Sequence, residues 1–144
     1  MSDASEFAKV IATVPLFEGL TKRQLASIAH VCFEAVYSPG DVIVREGDRT
    51  AEHMVVITAG TAEVTHKGKS LTTLGAGEVV GEMALLDGLP RSASVTADTD
   101  VRAIVLYRSA FQTLLDEVPG IYARLLTTLS KRLRAQDERL ASLG

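Results

Sequence analysis

Between residues 32 and 106 the chain is cut by glycine-bearing turns at near-regular intervals: Pro39-Gly40, Glu46-Gly47-Asp48, Ala59-Gly60, Lys67-Gly68, Gly75-Ala76-Gly77 and Asp87-Gly88. The runs between them are short and rich in Val, Ile and Thr. Segments 42–45, 54–58, 61–66, 70–74, 93–97 and 101–107 are therefore predicted strands. Strict alternation in Thr61-Ala62-Glu63-Val64-Thr65 gives one strand an inner and an outer face. No helix-length segment separates these strands, which disfavours a parallel α/β sheet and favours an antiparallel sandwich or barrel.

Helical patterns flank this region. Residues 4–12 read as a short helix that Pro15 separates from the next. Thr21 is a suitable N-cap for a second helix carrying Leu25, Ile28 and Ala29. After Tyr107, residues 109–117 predict another helix, and Pro119 suits the first turn of a long last one. Ile121, Leu125, Leu129 and Leu133 on that helix are expected to face the β region. Tyr122, Leu126, Leu129, Leu133, Gln136, Leu140 and Leu143 alternate at spacings of four and three, the pattern of a helix-pairing seam. The expected organisation is one domain over 1–144: a helical segment over 1–31, a β region over 32–107 and C-terminal helices over 108–144. With 144 residues, such a domain can bury a sizeable core.

Composition narrows the function. The chain is 47% hydrophobic and 23% charged, within the globular range, with a formal net charge of −3. Nucleic-acid binding through this segment is not expected, because its basic residues gather only around Lys131, Arg132, Arg134 and Arg139, interleaved with Asp137 and Glu138. The single cysteine, Cys32, excludes an intrachain disulfide and reads as a small buried hydrophobe, which points to the cytoplasm. The N-terminus lacks the pattern of a signal peptide, and no apolar run is long enough to span a membrane. His30, His53 and His66 fall on separate elements without metal-ligand spacing, and read as surface or half-buried residues. No nucleophile triad or P-loop is present, so neither catalysis nor a bound metal or cofactor is expected. Nothing after the last helix is expected to read DNA.

The chemistry concentrates in residues 79–97, Val-Val-Gly-Glu-Met-Ala-Leu-Leu-Asp-Gly-Leu-Pro-Arg-Ser-Ala-Ser-Val-Thr-Ala. Glu82 and Arg91 stand at the two ends of a tight connection, and either is costly to bury without a partner. Gly81 lets backbone approach closely. The run Glu82-Met83-Ala84-Leu85-Leu86 is good for one or two helical turns, whose first N–H groups suit an anion. Arg91 can bind a phosphate as a charged fork, with the amides of Ala84 and Ser92 as neutral donors. Glu82 can accept from a sugar hydroxyl, and Ser92, Ala93 and Ser94 are small enough for a ligand to lie close. The alternative is an ion pair between Glu82 and Arg91 that merely holds a loop.

The order Gly-Glu-x-Ala-Leu-Leu-x-x-x-Pro-Arg-Ser-Ala-x-Val resembles the phosphate-binding cassette of cyclic nucleotide-binding domains, as found in cAMP-dependent kinase regulatory subunits and bacterial catabolite activator-type regulators. The similarity extends over nearly the whole chain, including Val14-Pro15-Leu16-Phe17, Pro39-Gly40-Asp41-Val42-Ile43, Glu46-Gly47-Asp48 and Ala59-Gly60 with Val64. It implies a mainly β fold with flanking helices (α+β). The expected form is a jelly-roll-like antiparallel β-roll of eight strands, with N-terminal helices, a short cassette helix and a long C-terminal helix. It implies a cassette over 81–92 in which Glu82 takes the ribose 2′-hydroxyl, Arg91 the cyclic phosphate, and the amides of Gly81, Ala84 and Ser92 line the site with Met83 and Ala93. Leu71 and Leu74 would form an apolar wall against the base, and Gln136 and Asp137 would reach its exocyclic edge. Two positions depart from the family pattern. Val80 stands where the family often has Phe, a loss of bulk and not of chemistry. Ser92 stands where kinase cAMP sites carry Ala and cGMP sites Thr; bacterial cAMP-binding activators often have Ser there, which favours cAMP and leaves cGMP open.

The expected function is a cyclic nucleotide sensor, cAMP before cGMP, acting by movement of the C-terminal helix, with homodimerisation through that helix. The alternatives are a nucleotide-insensitive dimerisation or interaction module of the same fold, and the sensor fragment of a larger transcription regulator.

Overall fold

A computed structural model describes residues 4–48 and 52–143. The strands are β1 (Phe33–Tyr37), β2 (Val42–Val44), β3 (His53–Ala59), β4 (Ala62–His66), β5 (Lys69–Leu74), β6 (Val79–Val80), β7 (Ser94–Ala97) and β8 (Val101–Tyr107). They form two four-stranded antiparallel sheets, ordered β1-β8-β3-β6 and β2-β7-β4-β5. This is the α+β roll expected from the sequence. The predicted strand over 101–107 coincides with β8, whereas β1 and β6 had no predicted counterpart.

The first sheet is apolar on both faces, and each face has its own core. On β3 and β8, Met54, Val56, Ile104 and Leu106 pack into a cluster with residues of the helices. The alternate residues Val55, Ile57, Val101, Ala103 and Val105 pack into the space between the sheets, against Ile43, Val44, Ala62 and Val95.

The helices are α1 (Ala4–Ile11), α2 (Lys22–His30), α3 (Ala84–Asp87), α4 (Arg108–Glu117) and α5 (Ile121–Leu143), with a 3-10 turn over Pro15–Phe17. Thr21 caps α2 as expected: its hydroxyl accepts from the Gln24 N–H at 3.1 Å, and the Gln24 side chain accepts from the Thr21 N–H at 2.9 Å. The buried Gln24 also donates to the Pro119 carbonyl at 3.5 Å, which ties α2 to the turn before α5. Pro119 lies in that turn, before the helix rather than in its first turn, because Gly120 follows it at φ +91°.

Ile121 and Leu125 of α5 are buried and Leu129 is partly buried, but Leu133 is 62% exposed. The helix therefore leaves the domain after about two turns of contact, earlier than its first apolar stripe implies. Two polar contacts fasten it to the 3-10 turn and the residues after it. The Thr128 hydroxyl donates to the Glu18 carbonyl at 2.8 Å, and Arg124 donates to the Gly19 carbonyl at 2.9 Å. Among the described residues no helix is long and apolar enough to cross a membrane.

Candidate functional site

Residues 81–92 leave β6, turn through α3 and return toward β7. Leu85 anchors this excursion: it is fully buried in the helical core with Phe111 and Leu114. The end of α3 is held from α4, where Gln112 donates to the Leu85 carbonyl at 3.3 Å and Arg108 to the Leu86 carbonyl at 3.4 Å. Gly88 then turns the chain in the left-handed region.

Gly81 and Arg91 share one place. Gly81 has φ +79°, and a Cβ there would overlap the Arg91 guanidinium and come within 2.9 Å of the His53 carbonyl oxygen. Only glycine fits both the backbone angle and the space. Arg91 is 8% exposed. Its Nη2 donates to the His53 carbonyl and lies 3.5 Å from the His53 ring Nδ1. Burial pushes the Arg91 pKa below its ordinary value, and the charges of Asp48 and Asp87 act in the opposite direction.

The backbone that carries Arg91 is clamped by two turns of the roll. Gly47 N–H donates to the Arg91 carbonyl at 2.8 Å, and Glu46 N–H to the Ser94 hydroxyl at 2.9 Å. His66 Nδ1 lies 2.9 Å from the Ser92 carbonyl oxygen and 3.4 Å from the Glu46 carboxylate. Across the cassette, the Glu82 carboxylate accepts from the Leu16 N–H at 3.0 Å. Glu82 and Arg91 thus have separate partners. The ion pair between them, the loop-holding alternative, is not formed among the described contacts.

Two cavities meet at this place. One, about 380 Å³, is lined by Gly81, Glu82, Met83, Ala84, Arg91 and Ser92 among others. The second, about 320 Å³, opens between the sheets and is lined by Val44, Val64, Leu74, Val80, Ala93 and Val95 together with Gly81, Arg91 and Ser92. A recess carrying the carboxylates of Glu82 and Asp87 thus adjoins one lined mostly by apolar side chains, with the arginine in their common wall. Each volume falls within the range of small-molecule sites.

Of the residues singled out in the sequence, Gly81, Glu82, Met83, Ala84, Arg91, Ser92, Ala93 and Leu74 line these cavities. The Ala84 N–H donates to the Gly81 carbonyl at 3.1 Å. Leu71 is 61% exposed on β5 and lines neither cavity. Gln136 and Asp137 lie exposed on α5 and line neither. His53 is the correction: expected at the surface or half-buried, it is buried beneath Arg91, with its ring 5.7 Å from that of Tyr107. His53 and Leu16 were not legible as site residues, because both act through backbone groups of distant segments.

Comparison with known proteins bears on the family and the fold. The model of the cyclic nucleotide-binding domain matches residues 34–118. A cAMP-dependent protein kinase regulatory subunit of Colletotrichum orbiculare is 39% identical over 113 residues, which cover 77% of this chain and 29% of that protein. A CRP-like cAMP-activated global transcriptional regulator of Mycobacterium tuberculosis is 26% identical over 140 residues, 94% of this chain and 62% of that one. The chain therefore spans less than two thirds of either relative. Among solved structures, the N-terminal domain of a transcriptional regulator from Streptomyces coelicolor A3(2) superposes with a TM-score of 0.81 at 29% identity, covering 90% of this chain and 95% of that domain.

Proposed function

The chain belongs to the cyclic nucleotide-binding domain family, and from that footing we propose that it binds a cyclic nucleotide, cAMP before cGMP, in the paired cavities around Arg91. The observation that carries this reading is the arginine itself. It is buried in the wall shared by two recesses, one of them also lined by Glu82, and its Nη2 donates to the His53 carbonyl. A guanidinium in the wall of a recess can hold a phosphate as a charged fork. A cyclic phosphate would sit at Arg91, with the ribose toward Glu82 and the base in the recess between the sheets beside Leu74.

The reading is regulatory, and the output runs through α5. Glu82 is bonded to Leu16 in the 3-10 turn, and the two residues that follow that turn, Glu18 and Gly19, offer their carbonyls to Thr128 and Arg124 of α5. A ribose hydroxyl at Glu82 must share or displace the Leu16 bond, so occupancy bears on the seat of the helix. The shift can be no larger than the nucleotide's differential affinity for the two helix positions, typically ~1–3 kcal/mol. Gln136 and Asp137 would meet the base only after α5 closes over the roll.

The exposed apolar stripe of α5 supports a homodimer, with Tyr122, Leu126, Leu133, Leu140 and Leu143 all open to solvent. The buried free thiol of Cys32 fits a cytoplasmic setting.

The test is a calorimetric titration with cAMP and cGMP in parallel. Heat with cAMP at lower concentration than with cGMP supports the reading; heat with neither overturns it in favour of an interaction module of the same fold.

A further inference from the structure

The tip of the hairpin formed by β4 and β5 is tied to residues far from it in sequence. His66 ends β4 and is exposed, yet its ring Nδ1 lies 2.9 Å from the Ser92 carbonyl oxygen. A carbonyl oxygen only accepts, so Nδ1 carries a proton and donates. One oxygen of the Glu46 carboxylate lies 3.4 Å from the same nitrogen, and the other accepts from the Lys67 N–H at 3.0 Å. Lys67 is itself unusual: among the described residues it alone, of those with a Cβ, has a positive φ, +50°.

These contacts add little to the fold. An exposed pair such as Glu46 and His66 contributes little stability, and the hairpin already has its own ladder from Ala62↔Leu74 to His66↔Lys69. What they fix is the backbone beside Arg91. A peptide unit is planar, so holding its carbonyl also sets the direction of the N–H at its other end. The Gly47 N–H holds the Arg91 carbonyl at 2.8 Å and so sets the Ser92 N–H. His66 holds the Ser92 carbonyl and so sets the Ala93 N–H. Ser92 lies between two fixed planes and lines both cavities, and Ala93 lines the one between the sheets.

We propose that His66 and Glu46 act as a positioning pair for the ligand site: Glu46 keeps a proton of His66 on Nδ1, and His66 holds the Ser92–Ala93 peptide in the form that receives an anion beside Arg91. The proposal rests on the nucleotide reading above and adds two residues to it. Neither side chain lines either cavity, so both act through the backbone. Backbone that is fixed before a ligand arrives need not be ordered by it, and the saving appears as affinity. A surface ion pair that only closed the hairpin would have no such link to affinity.

Calorimetric titration with cAMP would compare the wild type with H66L, H66N, E46Q and the double variant of H66L with E46Q, each with its Tm. Asparagine can place an N–H where Nδ1 stands; leucine cannot. The expected result is that H66L binds about fivefold more weakly, that H66N stays within about twofold of the wild type, and that every Tm stays close to the wild-type value. E46Q should lose less than H66L, and the double variant no more than H66L, because the two act in one chain of contacts. Nitrogen NMR of the ring, which needs no ligand, should find a proton on Nδ1. A proton on Nε2 alone would overturn the proposal, as would H66N binding as weakly as H66L, or a Tm that falls in step with affinity. Losses that add in the double variant would separate Glu46 from His66 and overturn the pair. Equal affinity in all five proteins would overturn it while leaving the binding site standing. A wild type that gives no heat with cAMP or cGMP would overturn the pair and the nucleotide reading together.

Discussion

The Glu82 carboxylate accepts the Leu16 N–H at 3.0 Å, across 66 residues of chain. The acid expected to recognise a ribose is thus also the fastener of the N-terminal turn. A carboxylate has room for about four acceptor contacts, so sharing is chemically open to it.

Glu82→Gln keeps the shape and removes the charge. A hydrogen bond to a charged group is worth roughly 1.5–3 kcal/mol, so the variant should bind cAMP about tenfold or more weakly. Replacing cAMP by its 2′-deoxy analogue should cost affinity on the wild type and little more on the variant. An equal loss on both proteins would remove Glu82 from the ribose.

Arg91→Ala should lose roughly 2–5 kcal/mol of nucleotide binding, because the ligand phosphate is left without its cation. Arg91→Met is the sharper variant. It keeps an apolar stem in the same space and removes the charge together with its desolvation cost. Calorimetry should show no binding heat, with the Tm close to that of the wild type. A large fall in Tm would make the arginine structural.

Gly81→Ala places a methyl group on the Arg91 guanidinium and holds alanine at φ +79°. Alanine at positive φ costs about 1 kcal/mol or more. The variant should lose both stability in urea titration and cAMP affinity, since the guanidinium must move. Full retention of affinity would show that Arg91 is not held where the ligand needs it.

Thr128→Val removes the hydroxyl that grips the Glu18 carbonyl and keeps the side-chain volume. The expected cost is about 0.5–1.5 kcal/mol by urea denaturation, with protease cleavage of α5 becoming faster. Cleavage at the wild-type rate would show that α5 is seated by its apolar residues alone.

Burial pushes the Cys32 thiol up to about 12 from 9.0. The folded state therefore keeps the proton that the unfolded chain releases. Stability from this group is fully present below the unfolded value and is lost as pH rises between about 9 and about 12. Thiol titration should find Cys32 unreactive in the native protein at mildly alkaline pH and reactive in urea. Prompt native labelling would contradict its burial.

The recognition cassette was legible because its chemistry is carried by side chains in one short stretch. Gly81, Glu82 and Arg91 declare a turn, an acid and a base within eleven residues. The strands between glycine turns were legible for the same local reason. What was not legible depends on distance. β6 is two residues long and exists only by pairing with β3. β1 exposes Glu34 and Val36 at a sheet edge, which weakens its alternation. The partners of Glu82 and Arg91 are a backbone N–H and a backbone carbonyl, groups that every residue has and no letter distinguishes. Leu133 looked like core by spacing, but spacing does not say where the domain beneath a helix stops.

The order β1-β8-β3-β6 has a consequence in time. β8, the last strand to be made, lies between β1 and β3, and Arg91 is seated on β3. As the chain emerges from the ribosome, β4 and β5 can close as a local hairpin, but the first sheet has a gap until residue 107 has followed. Pairings this remote in sequence form slowly. The seat of Arg91 on β3 therefore gains its sheet neighbour only when β8 slides in, and α4, which holds the end of the cassette helix, follows directly behind it.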